Sequence, residues 1–281
     1  MKFSLSTNWC NRRIERGEEI AEKALQLGFD ELELGYHTTE AQGKGFLKLR
    51  DQIPVGSVHA FAPVPISAPQ GYPELYQLAS FDDEDRKMSV FQVTRNLRFA
   101  AEMGADTLVL HAGRVMCRSR LTGRSSMKRR IERGAEMIDV FKQQIELLVP
   151  ELEKNRVVLA VELLPYLEGF PAAWEMNEVA GEWVKPWLDT GHAQVRLLNA
   201  WDAEVECLKG LRAPTEIPYW GMHLTDSKGG DDHLAPGRGD VDFKALKPLA
   251  EKAHHLVFEP YPDMPEEELV AGLKYLKTLW K

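Results

Sequence analysis

The chain has 281 residues, a hydrophobic content of 44% and a formal net charge of -8 at pH 7, which suits one large α/β domain or two small ones. The negative charge argues against general affinity for nucleic acid, because binding to a phosphate backbone requires positive charge. No membrane span or signal peptide is visible, and with only three widely separated cysteines (Cys10, Cys117 and Cys207) the sequence predicts a soluble cytoplasmic protein.

Apolar segments of strand length alternate with helical patterns along the whole chain. The predicted strands cover residues 2–9, 31–36, 55–61, 107–112, 157–164, 186–190, 220–226 and 255–260. The predicted helices cover residues 15–27, 46–52, 82–103, 128–154, 174–183, 199–209, 243–253 and 266–280. Eight strand-then-helix units without a break in composition predict an α/β fold, a closed (β/α)8 TIM barrel, in one domain of residues 1–281.

Two predicted connections are long, namely the proline-rich residues 62–81 and the glycine- and aspartate-rich residues 227–240. Loops of this length in a compact domain are usually functional. Both follow strands that end in possible metal ligands, so both are expected to lie over the same end of the barrel.

Histidines and carboxylates recur where the predicted strands end. They are His59, His111, Glu162, Asp189, His192, His223, Asp231, His233 and Glu259. In a parallel barrel all these strand ends open on one face, so the nine side chains are expected to converge. Imidazoles and carboxylates together are typical ligands of zinc, manganese or iron, and this number could hold more than one ion.

Each position also has a structural explanation. Glu162 and Glu259 lie in apolar strands, where a buried carboxylate needs either a basic partner or a cation. Asp189 could cap a helix instead of binding metal, although a cap would not explain His192. Gly191, between them, is expected to let the chain bend so that both side chains point to one side.

The histidines of the third and fourth strands are more ambiguous. His59 and His111 each end an apolar strand, where a single histidine is more often a satisfied core residue than a ligand. Asp231 and His233 could belong to a solvated acidic loop, or they could point the same way from an extended segment and share an ion. The conjunction of all nine positions favours the metal interpretation.

The motifs HLTDSK, LDTGH and PGRGDVDF, with the in-strand Glu162 and Glu259, resemble the xylose-isomerase-like TIM-barrel superfamily, which contains sugar isomerases and epimerases and endonuclease IV. The resemblance covers nearly the whole chain. In both branches the core ligands would correspond to Glu162, Asp189, His223 and Glu259. In the sugar branch these four hold one ion, such as Mn²⁺ or Mg²⁺, and a histidine matching His192 lies beside the substrate.

The resemblance to the endonuclease IV branch implies up to three Zn²⁺ ions. One would be held by His59, His111 and Glu162, the second by the four core ligands with Glu162 bridging, and the third by His192, Asp231 and His233. The chain departs from endonuclease IV after the third strand, where AFAPVPISAP replaces a DNA-intercalating loop, and at the fifth strand, which reads VELLPYLEG.

A basic segment lies between residues 114 and 133. Its first half carries Arg114, Arg118, Arg120 and Arg124 near the fourth strand end, where guanidinium groups could bind substrate phosphate or could simply be solvated. An acidic protein with one basic loop near its metals favours a small anionic substrate, with phosphate, over long DNA.

The leading hypothesis is multi-zinc hydrolysis of a phosphoester in a small or nucleotide-like substrate, with Glu162, Glu259 and His192 as catalytic residues. The alternative is a metal-dependent sugar or sugar phosphate isomerase or epimerase, in which Glu162 and Glu259 exchange a proton on a substrate carbon. A barrel that binds a metal or ligand without catalysis is a third class. The sequence does not indicate an oligomeric state.

Overall fold

The computed structural model describes residues 1–68, 71–117, 126–198 and 218–281. Eight parallel strands form a closed barrel. In chain order they are β1 (Ser4–Ser6), β2 (Glu31–Leu34), β3 (Val55–His59), β4 (Thr107–Leu110), β5 (Val158–Glu162), β6 (Val184–Asp189), β7 (Gly221–His223) and β8 (His255–Phe258). The prediction of a (β/α)8 TIM barrel is therefore confirmed.

Helices alternate with these strands. The described helices are α1 (Gly17–Gln26), α2 (Glu40–Phe46), α3 (Asp83–Met103), α4 (Met127–Asn155), α5 (Met176–Val179), α6 (Thr190–Leu198), α7 (Phe243–Ala250) and α8 (Glu266–Leu279). The limits of α3 follow from local chemistry, because the Asp82 side chain accepts a hydrogen bond from the Asp85 backbone N–H and Gly104 ends the helix with φ 84°.

Three predicted helices need correction or remain open. The helix predicted at 46–52 ends at Phe46 instead of beginning there, and α2 starts after Thr39, which forms a capping box with Gln42. The helix predicted at 174–183 is reduced to the four residues of α5. The helix predicted at 199–209 lies outside the described residues.

Each barrel strand pairs in parallel with its neighbours in chain order, and β1 closes the barrel against β8 through the pairs Ser4 with Val257 and Leu5 with Phe258. All carboxyl ends therefore lie at one mouth of the barrel, as the fold requires. At the same mouth, Asp226–Lys228 and Asp231–Leu234 form an antiparallel hairpin within the predicted 227–240 connection.

The barrel interior contains a small apolar cluster of Val109, Ala160, Trp187 and Val257. The indole of Trp187 is fully buried, and its ring centroid lies 5.1 Å from that of His223 and 6.0 Å from that of His255. Because His223 ends β7 and His255 begins β8, Trp187 fills the barrel interior beneath the carboxyl-end mouth and closes the site from below.

Among the described helices, none combines the length and the apolar character that a membrane span requires.

Candidate metal centre

Six of the nine predicted ligands lie at the carboxyl ends of six successive barrel strands. In chain order they are His59, His111, Glu162, Asp189, His223 and Glu259. Their relative exposure ranges from 0% to 8%. Burial of this many ionisable groups is costly unless opposite charges compensate them, so the arrangement requires a specific explanation.

Four of them surround a single point. Glu162, Asp189, His223 and Glu259 each offer one ligand atom, and these atoms lie within 4.8 Å of one another. The Nδ1 atom of His223 is 3.1 Å from Glu259 Oε2, 3.4 Å from Glu162 Oε2 and 3.9 Å from Asp189 Oδ2. One imidazole proton cannot satisfy three carboxylates, whereas a divalent cation would attract all four atoms. We call these four residues the tetrad.

The outer atoms of the tetrad are held by protein partners. The Asn8 amide donates to Glu259 Oε1 at 3.0 Å, and the Thr225 hydroxyl donates to Asp189 Oδ1 at 2.6 Å. Among the remaining inner atoms, Asp189 Oδ2 and His223 Nδ1 are buried without a hydrogen bond, and Glu162 Oε1 has an ion-pair contact with His192 Nδ1 at 3.1 Å. Side chains that are fixed on one side and unsatisfied on the other have the features of a preorganised metal site.

A second group shares Glu162 with the tetrad. The Nε2 atoms of His59 and His111 lie 3.3 Å and 3.2 Å from Glu162 Oε2, and the three residues meet the same geometric condition for a metal site. The Nδ1–H of His59 can donate to the Ala60 carbonyl at 2.9 Å, which would leave Nε2 as the ligand atom. The structure thus brings together the residues expected for a first ion next to the second.

The third group differs from the expectation. It contains Asp189, His192 and His233, while Asp231 is exposed and belongs to none of the three groups among the described residues. His233 has φ 58°, so the segment does not alternate like a regular strand. Glu162 Oε1 lies 3.1 Å from His192 Nδ1, and the Asp232 carboxylate lies 3.8 Å from His192 Nε2 and 3.9 Å from His233 Nε2.

Asp189 acts both as a helix cap and as a member of the tetrad. It directly precedes α6, and its Oδ1 accepts the His192 backbone N–H at 2.7 Å, which is the geometry of an N-cap. Gly191 has no positive φ and lies in the first turn of α6, and Asp189 and His192 nevertheless come together in one group. Glycine is required because a Cβ would lie 2.5 Å from Thr225 Oγ1, the atom that accepts the Gly191 N–H.

The carboxylates and imidazoles shift each other's pKa values. Burial would raise the pKa of Glu162, but His223 and His111 hold it well below its usual value. Burial would lower the pKa of His223, yet Glu259 and the other nearby carboxylates raise it well above its usual value. The same competition raises the pKa of His111 to about 9 and that of His192 to about 10. The carboxylates therefore favour the protonated imidazoles, so a divalent cation that binds to the same atoms would have to displace these protons.

Arg114 is the described member of the predicted phosphate-binding arginines, since Arg118, Arg120 and Arg124 lie outside the described residues. Its guanidinium pairs with Glu74 and lies 4.3 Å from the ring centroid of Tyr166. Glu74 Oε1 is also 3.8 Å from His111 Nδ1. Arg114 is therefore linked to the metal-ligand cluster through Glu74, and an anionic substrate would have to compete with this carboxylate.

The sequence interpretation missed several contributors to the site. Asn8, Glu33, Glu74 and Thr225 all contact predicted ligands. Glu33 had a detectable signal, because β2 reads ELEL and a barrel strand is covered on both faces, so its alternating glutamates cannot simply face water. The other three lie after strands or in loops, where the sequence carries no comparable pattern.

Residues 21–279 match the family model described as xylose isomerase-like TIM barrel. Among solved structures, the chain is similar to a D-tagatose 3-epimerase-like protein (20% identity, TM-score 0.68, 99% of this chain and 97% of that chain covered). It is also similar to 3-keto-D-glucoside 4-epimerase from E. coli (18% identity, TM-score 0.69, 99% of this chain and 99% of that chain covered). A third similar structure is that of a Thermus thermophilus protein soaked with ZnCl2 (24% identity, TM-score 0.62, 99% of this chain and 98% of that chain covered). No curated protein matches the sequence.

Proposed function

Because the chain belongs to the xylose isomerase-like TIM-barrel family, we propose that it is a divalent-metal-dependent sugar isomerase or epimerase. The observation that carries the proposal is the tetrad, in which buried inner ligand atoms converge without hydrogen bonds while the outer atoms are held by Asn8 and Thr225. The epimerases among the similar structures support this reaction class over phosphoester hydrolysis.

Glu162 and Glu259 are the proposed proton-transfer pair. They lie on β5 and just after β8, three strands apart in a barrel of eight, so they reach the central point from different directions. One carboxylate would remove the proton from the carbon next to a substrate carbonyl, and the other would return a proton to a neighbouring position or to the opposite face. A divalent cation at the tetrad would polarise that carbonyl and stabilise the negative charge developing on its oxygen.

The surrounding residues have supporting roles in this scheme. His192 lies with Nδ1 3.1 Å from Glu162 Oε1, where it would orient this carboxylate and contact substrate oxygens. Trp187 closes the barrel below the site, which limits water access from that side. Arg114 would bind a phosphate or other anionic group of the substrate after displacing Glu74.

Solvent deuterium exchange tests the proposal. In D₂O with Mn²⁺, the wild type should incorporate deuterium next to the carbonyl of a ketohexose or its phosphate ester, and mass spectrometry would detect the label. Glu162→Gln and Glu259→Gln should each lower the exchange rate by about 10²-fold or more, since general acid-base catalysis contributes about that factor. Glu31→Gln is the matched control, because Glu31 also lies in a barrel strand but pairs with Lys2.

Multi-zinc phosphoester hydrolysis is the second candidate. The specific observation in its favour is that His59 and His111 both contact Glu162, and that Asp189, His192 and His233 form another group, so up to three Zn²⁺ ions could be held. Elemental analysis distinguishes the two. About three zinc ions per chain with phosphodiesterase activity and no deuterium exchange would replace the epimerase proposal with hydrolysis.

A further inference from the structure

We propose that Glu33 is a positioning residue that selects which nitrogen of His223 binds the metal. The proposal rests on the metal site of the proposed function. Glu33 lies in the middle of β2, on the opposite side of His223 from the three tetrad carboxylates.

The contact is direct and fully buried. Both carboxylate oxygens of Glu33 lie 3.3 Å from His223 Nε2, and both side chains have 0% exposure. The Ser57 hydroxyl donates to Glu33 Oε2 at 2.8 Å, and this hydrogen bond helps to fix the position of the carboxylate. In the described part of the chain no lysine or arginine pairs with Glu33, and its charge is compensated by imidazoles, first that of His223 and then that of His59.

This contact determines the tautomer. A neutral imidazole has one nitrogen that donates and one that accepts, whereas an ionised carboxylate only accepts. Facing Glu33, Nε2 must carry the proton, and the lone pair is then placed on Nδ1. Nδ1 is the atom that points at the Glu162, Asp189 and Glu259 oxygens, so the carboxylate also makes the metal-facing nitrogen more basic.

The ring plane is restrained as well. The His59 ring stacks on His223 with a centroid distance of 5.8 Å and an interplanar angle of 11°, and Trp187 packs edge-on at 5.1 Å. The imidazole therefore has little freedom to turn, and Glu33 decides its protonation. In many metal sites a carboxylate that accepts from the outer imidazole nitrogen fixes the tautomer and the ring orientation of a histidine ligand.

The experiment compares Zn²⁺ affinity in the wild type, Glu33→Gln and Glu31→Gln by competition with a chromophoric chelator. The glutamine amide introduced by Glu33→Gln would lack the negative charge and could donate to Nε2, which would move the proton to Nδ1. We expect affinity to fall about 10- to 100-fold for Glu33→Gln and to stay at the wild-type level for Glu31→Gln, which is the same change two residues earlier in the same strand.

A second readout separates positioning from a general structural effect. In ¹⁵N-histidine NMR of the zinc-loaded protein, His223 should show a protonated Nε2 and a metal-bound Nδ1 in the wild type, and this signature should be lost in Glu33→Gln. If Glu33→Gln does not fold, as judged by circular dichroism, Ser57→Ala decides instead. Removing the hydroxyl that holds Glu33 should weaken Zn²⁺ binding by a smaller factor and alter the same His223 signals.

The possible failures are distinguishable. A wild type that binds no divalent metal would reject the proposed metal site itself. A wild type that binds Zn²⁺ while Glu33→Gln, or Ser57→Ala in its place, keeps both the affinity and the His223 signature would overturn only the role of Glu33. An equal loss of affinity in Glu31→Gln would show a general effect of charge removal and would also overturn it.

Discussion

The buried pair of Arg130 and Glu175 offers a quantitative test of how the loops at the barrel mouth are held. Arg130, in α4, is fully buried and donates to Glu175 Oε1 at 2.6 Å and Oε2 at 2.8 Å. It also donates to the carbonyls of Leu167 and Gly169, both at 2.8 Å. These contacts fix the segment that follows β5, the strand that ends in Glu162.

Replacing Arg130 with Met removes the charge but keeps much of the side-chain volume. The Glu175 carboxylate would remain buried without its cation, and breaking such a pair costs about 3–5 kcal/mol. With an unfolding entropy of about 2.1 cal/mol/K per residue, a chain of 281 residues has a total near 0.6 kcal/mol/K, so the melting temperature should fall by about 5–8 °C.

Differential scanning calorimetry would measure this shift, and Lys128→Met is the control from the same turn of α4. Lys128 is 85% exposed and pairs with Glu132 at 3.9 Å, so its replacement should change stability by less than about 0.5 kcal/mol. The double variant Arg130→Met with Glu175→Met should recover part of the loss, because no buried charge remains. A wild-type melting temperature for Arg130→Met, or a double variant that is less stable than the single one, would refute this role of the buried pair.

Two further predictions concern a loop and a surface pair. The buried Asp226 carboxylate accepts four backbone N–H groups, including those of Gly237 and Gly239. Asp226→Asn should therefore loosen residues 227–240 and lower the free energy of unfolding by about 1–3 kcal/mol. Hydrogen exchange at these amides should accelerate, and unchanged protection would contradict the role of Asp226. Arg98 lowers the pKa of Glu151 to about 2, so the pair contributes stability above about pH 4.5 that is lost as the pH falls towards 2. The melting temperatures of the wild type and Glu151→Gln should therefore converge as the pH falls from about 4.5 towards 2, and a pH-independent difference would argue against this.

The positions of the possible ligands were predictable from the sequence because a barrel makes strand ends equivalent. His59, Glu162 and His223 needed only the strand assignment to be placed at one mouth. A shift of a strand boundary by a residue or two did not matter. Asp231 was expected to point the same way as His233 along a regular extended segment, but the positive φ of His233 breaks that alternation.

Helix α2 shows where local patterns were insufficient. Gly43 and Gly45 lower the intrinsic helix propensity of this segment, and the helix predicted at 46–52 begins after them. They are required by packing, since a Cβ on Gly43 would lie 2.8 Å from the Phe99 ring and one on Gly45 would lie 2.9 Å from the Glu18 backbone. The TEAQ capping box at Thr39 was the available signal for the true start.

The sequence by itself determined the barrel and the side of the barrel on which the histidines and acids would gather, because both follow from the alternation of strands and helices and from parallel strand direction. Only the tertiary structure decided which atoms face inward and which are held by other elements. Glu33 meets His223 across 190 residues of chain, and Asn8 meets Glu259 across 251. Contacts of that range depend on how the barrel closes, and a linear pattern does not encode them.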